Sequence, residues 1–270
     1  MNLSLVQHDP LTAIAAAQER IRLKKRGFAR WYEVEVSPGV WVKAAGVTSV
    51  LKPLNKPGLV YWSANLQFDA DILTAWDGAG KPFMDFAEFD GWFRSAAPSK
   101  KAHVTALREA ADLGKGVHKL IEANLRERMG LEVEPFEVSD EARFVYTGFD
   151  EWAESVSLKP LLAESALASV QHKVAGTLDT VAFVLANDKP LLLDYKTSKK
   201  VYVEHKLQLT AYAKLMQEMC GVLPDRAVVR VPKDGSGIEM TAIEDDPEEL
   251  WRVFLCLRSI YDWAKVNDLA

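Results

Sequence analysis

Two stretches decide the reading: Ala175-Gly176-Thr177-Leu178-Asp179 and, with its acid fifteen residues further on, Leu191-Leu192-Leu193-Asp194-Tyr195-Lys196-Thr197. Alternation along a strand puts Asp194 and Lys196 on one side and turns Tyr195 to the other. Asp194 closes an apolar run, where an unpartnered charge is costly, so a cationic partner is expected beside it. Asp179 sits in a similar setting among Leu178, Val181 and Phe183. Two carboxylates and an ammonium can therefore converge. Hard oxygen ligands on adjacent strands are what Mg²⁺ or Mn²⁺ selects. Such an ion acidifies water and neutralises a phosphodiester, while a nearby lysine offsets the charge that develops. For the Asp-x-Lys tripeptide alone, the competing reading is a buried pair that only ties two strands together.

Outward from this core, period-two patterning predicts strands over 161–170, 173–185 and 191–196, with Asn187-Asp188-Lys189-Pro190 as a turn. A helix over 202–219 follows, then strands over 227–231 and 238–243. Asp246-Pro247-Glu248-Glu249 caps a closing helix that runs to about residue 265. Upstream, amphipathic helices are predicted over 139–158 and 99–129. Gly114 and Gly116 inside the longer one signal either a break or the close approach of something to the backbone. The segment 57–98 reads as mostly helical and ring-rich, with Tyr61, Trp62, Phe68, Trp76, Phe83, Phe86, Phe89, Trp92 and Phe93. Most of these rings are expected in the core, and base stacking is the other use for them. Ser37-Pro38-Gly39 joins two alternating runs into a hairpin. Asp9-Pro10 opens an alanine-rich helix predicted to run to about Arg26, with a strongly basic end.

The chain has 270 residues, a formal charge of -5 and 49% hydrophobic residues. At roughly 150 residues per domain this is one or two domains with a core of ordinary size. Cys220 and Cys256 cannot build a disulfide framework or a four-thiolate cluster, which favours a reducing compartment. No run approaches the roughly 18 apolar residues of a membrane span, and residues 1–10 lack a secretory pattern, so a cytoplasmic protein is expected. The acidic total argues against a bulk nucleic-acid coat. The first 60 residues nevertheless hold nine basic against four acidic side chains, enough for a local positive groove.

An ordered set of residues then resembles a known family. Gly114-Lys115-Gly116-Val117-His118 with Glu122, then Glu164, Gly176-Thr177-Leu178-Asp179, Asp194-Tyr195-Lys196-Thr197-Ser198, and Gln208 with Tyr212 is similar to the PD-(D/E)xK nuclease superfamily. The nearest branch is the RecB-like exonucleases, which includes Cas4-like proteins and the mitochondrial genome maintenance exonuclease. Gly46 to Leu51 with Lys56 to Trp62 is similar to the N-terminal segment of stand-alone, often phage-encoded, relatives.

The resemblance implies an α/β (α+β) restriction-endonuclease-like fold, a mixed central sheet flanked by helices. Residues 101–270 would form the nuclease core, and 1–100 a helical and hairpin elaboration contributing to the DNA channel. It implies His118, Asp179, Asp194 and the Tyr195 carbonyl as metal ligands and Lys196 as the catalytic lysine. Glu164 would be a further catalytic acid and Glu122 a supporting one. Gln208, Tyr212, Thr197, Ser198, Lys199 and Lys200 would lie along the substrate. The implied activity is hydrolysis of single-stranded DNA or DNA ends, dependent on Mg²⁺ or Mn²⁺ and leaving 5'-phosphates, in a bacterial or phage-infected cell, with a recombination or replication protein as a partner. Two cysteines cannot hold the iron-sulfur cluster of some relatives. No Gly-x-x-x-x-Gly-Lys-Ser/Thr loop is present, so ATP is not implied. A structure-specific endonuclease and a catalytically silent nuclease-like binding protein are the competing readings.

Overall fold

The computed structural model describes residues 9–27, 29–54, 57–78, 85–96, 102–185 and 187–267. Asp9 caps α1 (Pro10–Gln18), its carboxylate accepting from the Thr12 N–H at 3.2 Å and the Leu11 N–H at 3.4 Å. The helix ends there. The basic run expected to continue it forms β1 (Ile21–Arg26), which pairs antiparallel with β2 (Ala29–Ser37), and β2 with β3 (Val40–Gly46). The pairing explains the change: as a strand, Ile21 lies opposite Val34 and Arg22 opposite Glu33, partners that a helix would not supply.

Next come α2 (Val47–Val50), α3 (Pro57–Gly78), α4 (Phe86–Ala96) and α5 (Ala102–Arg128). The glycine pair does not break α5. A Cβ on Gly116 would stand 2.8 Å from the Cβ of Ala142, so the glycine serves close helix packing. The single helix expected over 139–158 is two, α6 (Asp140–Tyr146) and α7 (Phe149–Ser155), parted at Thr147-Gly148. Then follow β4 (Lys159–Ser169), β5 (Val174–Val184), β6 (Asn187–Lys196), α8 (Val203–Cys220), β7 (Asp225–Arg230), β8 (Glu239–Ala242) and α9 (Pro247–Val266). Asn187 to Pro190, expected as a turn, belongs to β6; Val184 pairs with Asn187, so the reversal falls earlier.

The fold is α+β: among the described residues, one mixed eight-stranded sheet in the order β1-β2-β3-β5-β6-β7-β8, with β4 on the other edge of β5. β6 and β7 are parallel and joined by α8, which covers one face of the sheet with α1, α2 and α9. Leu192 belongs to that core, whereas Tyr195, of opposite parity, meets Phe149 of α7 with ring centroids 5.6 Å apart. α7 therefore lies on the opposite face.

Met1–Leu54 with Gly116–Ala270 forms one compact unit, and Asn55–Lys115 a second. In the second, Phe89 stacks on Phe93 at 5.8 Å. Among the described rings, Phe68 is 64% exposed, and Phe89, Trp92 and Phe93 are half-buried rather than fully enclosed. The side chains of Tyr61, Trp62, Trp76, Phe83 and Phe86 lie outside the described residues, as does the expected helix start at residue 99. Among the described residues, no helix is long and apolar enough to cross a membrane.

Candidate metal centre

The site lies where the sheet forks. β4 follows β5 along its whole length, from Lys159↔Phe183 to Ser169↔Val174. The other edge of β5 changes partner. It pairs with β3 at Ala45↔Val174 and Gly46↔Ala175, and with β6 only from Thr180↔Leu193 onward. Residues 176–179 have no backbone partner on that edge. Asp179 replaces the missing rung with its side chain, Oδ2 accepting the Tyr195 N–H at 2.9 Å.

The β4–β5 register sets Glu164 directly opposite Asp179, between Ala163↔Thr180 and Ser165↔Leu178. Glu164 takes a left-handed φ of 44°, unusual inside a strand. His118 comes from α5, its Nδ1 3.6 Å from Asp179 Oδ2 and its ring edge-on to Tyr195 at 6.5 Å. His118, Glu164 and Asp179 each offer one ligand atom, and these atoms lie within 4.8 Å of one another. Loss of solvent, then the charges of Asp179 and Glu122, push the Glu164 carboxyl up to about 8, with Arg30 opposing. One imidazole with two carboxylate oxygens fits a divalent ion such as Mn²⁺ or Mg²⁺.

Asp194 and Lys196 stand beside this trio. Lys196 Nζ is 2.5 Å from Asp194 Oδ2, and Gln208 on α8 donates to Asp194 Oδ1 at 3.1 Å. Asp194 is 1% exposed, so burial, with the charge of Asp179, holds its carboxyl above the ordinary range in spite of Lys196. Burial alone would lower Lys196. The charges of Asp194 and Asp179 and the bond to Asp194 outweigh it, and the ammonium is held above its ordinary range. The sequence resemblance grouped Asp194 with His118 and Asp179. The geometry groups Glu164 with them and ties Asp194 to Lys196 and Gln208.

Tyr212, one turn beyond Gln208, is buried against Gly176: a Cβ there would stand 2.7 Å from Tyr212 Cε1. Burial first, then Asp179 and Asp194, raise its hydroxyl well above the usual value. Glu122 lies 3.9 Å from Arg126 and adds negative charge toward Glu164. Thr197 is half-buried. Ser198 Oγ donates to the Lys200 carbonyl at 2.9 Å, and Lys199 and Lys200 are exposed beyond it.

Two contributors were missed by the sequence reading. Arg30 of β2 acts on Glu164, and the Tyr32 hydroxyl shares a 2.7 Å hydrogen bond with Thr177 Oγ1, two residues from Asp179. Hairpin alternation could have placed Tyr32 on a buried face, but no spacing signals a partner 145 residues away.

No protein-family model matches the chain, and no curated protein matches it. Among solved structures, the chain is similar to one described as "Crystal structure of SSO0001", at 14% identity and a TM-score of 0.32, over 80% of this chain and 75% of that one. That likeness is too slight to carry an argument.

Proposed function

We propose that the chain is a divalent-metal-dependent deoxyribonuclease of the PD-(D/E)xK type, an exonuclease acting on single-stranded DNA or DNA ends and leaving 5'-phosphates. The observation that carries this reading is the meeting of His118, Glu164 and Asp179 within 4.8 Å, next to the Asp194–Lys196 pair. Those three side chains would hold the ion, and Asp194 is near enough for its charge to be felt by the same group. A divalent ion in that position supplies an acidified water and neutralises charge on a phosphodiester.

The remaining work belongs to the protein. Lys196, protonated and anchored by Asp194, offers positive charge to the phosphoryl oxygens as they gain charge. Gln208 orients Asp194 from α8, so the lysine is fixed by a partner that is itself fixed. Tyr195 lends its backbone N–H to Asp179, which aims that carboxylate into the fork.

A labelled linear oligonucleotide and a closed circle, each incubated with Mn²⁺, with Mg²⁺ and with chelator, test the proposal. Degradation of the linear strand alone, abolished by chelator, is the expected result. Cleavage of the circle would make the protein an endonuclease. Cleavage of neither under any divalent ion would leave a silent nuclease-like binding protein and defeat the catalytic reading.

A further inference from the structure

We infer that the outer face of the three-stranded β1–β2–β3 sheet is a binding platform for single-stranded nucleic acid. Directly opposed residues in an antiparallel sheet share a face. The pairs Arg22↔Glu33, Lys24↔Trp31, Glu33↔Lys43 and Glu35↔Trp41 therefore place Arg22, Lys24, Trp31, Trp41 and Lys43 together, with Arg26 in line. The other face carries Tyr32, Val34 and Ala44, buried against Ala168 and Ala175.

The four cations of the outer face are exposed, and its two indoles are only half-buried. A solvated sheet face has no packing use for two tryptophans. The Arg22 guanidinium lies 3.6 Å over the Trp41 ring, and Lys43 Nζ 5.2 Å from the Trp31 ring centroid. Rings and cations are thus stacked together, the pairing that receives bases and phosphates side by side. The two acids on this face are engaged within the sheet. Glu33 accepts the Trp31 indole N–H at 3.1 Å, and Glu35 accepts the Gly39 N–H at 2.6 Å and lies 3.7 Å from Arg20. A positive surplus remains, in a chain whose net charge is -5.

Single strands are favoured over duplex because a duplex hides its base faces from the indoles. An acidic protein partner would use the cations and leave the rings unexplained. The same three strands are tied to the site through their opposite face: Tyr32 on β2 hydrogen-bonds Thr177, the charge of Arg30 acts on Glu164, and β3 pairs with β5 at Ala175. Only the use of this surface to supply strands to the metal centre rests on the nuclease reading.

The test is fluorescence anisotropy of a labelled oligothymidylate, and of a matching duplex, with the full-length protein in chelator so that cleavage plays no part. Trp31→Leu and Trp41→Leu should each weaken single-strand binding about tenfold or more while leaving the salt dependence alone. The exposed pair Arg22→Ala/Lys24→Ala should lower the slope of log affinity against log salt by about 1.4, roughly 0.7 per cation, and carries the test should a tryptophan variant fail to fold. Folded variants that bind with wild-type affinity would overturn the platform. So would failure of the wild type to bind any oligothymidylate, which would leave this face to a protein partner. Cleavage by the wild type with Mn²⁺ is scored separately: binding that follows the platform residues without cleavage removes the nuclease reading alone, and cleavage without the binding defect removes the platform alone.

Discussion

Lys196 and Asp194 form an ion pair in which one partner is almost wholly withdrawn from water. Removing one member leaves the other uncompensated, which is costlier than removing both. Lys196→Met is expected to lower unfolding free energy by about 3 kcal/mol. Lys196→Met with Asp194→Leu should recover most of that loss and still show no cleavage. Denaturant unfolding and oligonucleotide degradation, measured on the same samples, separate the two roles. Glu164 makes a prediction of its own. Its carboxyl keeps a proton to about pH 8 in the folded chain and releases it near 4.5 when unfolded. The folded state therefore binds more protons across that interval, so its stability is fullest below 4.5 and declines as pH rises toward 8. In chelator, urea midpoints should fall over this range, and Glu164→Gln should flatten the decline. An unchanged slope in that variant would show the carboxyl to be ordinary.

At the level of whole elements, α5 and α6 touch where Gly116 meets Ala142. Gly116→Ala should cost about 1–3 kcal/mol by overpacking, against about 1 kcal/mol gained in helix propensity. Ala142→Gly in the same chain should relieve the clash, and a double-mutant cycle of unfolding free energies would register the coupling. Much of the β4-to-α9 order was legible because its strands alternate and its helices carry caps. Gln208 and Tyr212 were legible as one helix face. What escaped depended on pairing. Lys and Arg suit a helix as well as an edge strand, and only the partners on β2 decide that residues 21–26 form β1. That Glu164 lies opposite Asp179 is a matter of register, which spacing along one chain does not carry. The residues from His118 through Asp179 to Lys196 were singled out together from their order in the chain, whereas the close approach of Glu164 to His118 and Asp179 was not readable from it.

Ligand linkage acts on the molecule as a whole. A divalent ion that binds the folded chain and not the unfolded one adds about 2.7 kcal/mol at a hundredfold excess over its Kd. Mn²⁺ should therefore raise the thermal midpoint, chelator should reverse the rise, and His118→Ala should shrink it; a midpoint indifferent to Mn²⁺ would argue against an ion at this position. The fork in the sheet has a mechanical consequence as well. Most neighbouring strands are laced together by many rungs, but β3 and β5 share two residue pairs, helped by the Ala45 N–H bond to the Lys173 carbonyl and the Tyr32–Thr177 contact. The first three strands thus behave like a leaf on a short binding, able to lift before the pages behind it come loose. Deuterium should enter the backbone around Ala45 and Gly46 well ahead of the β4–β5 ladder.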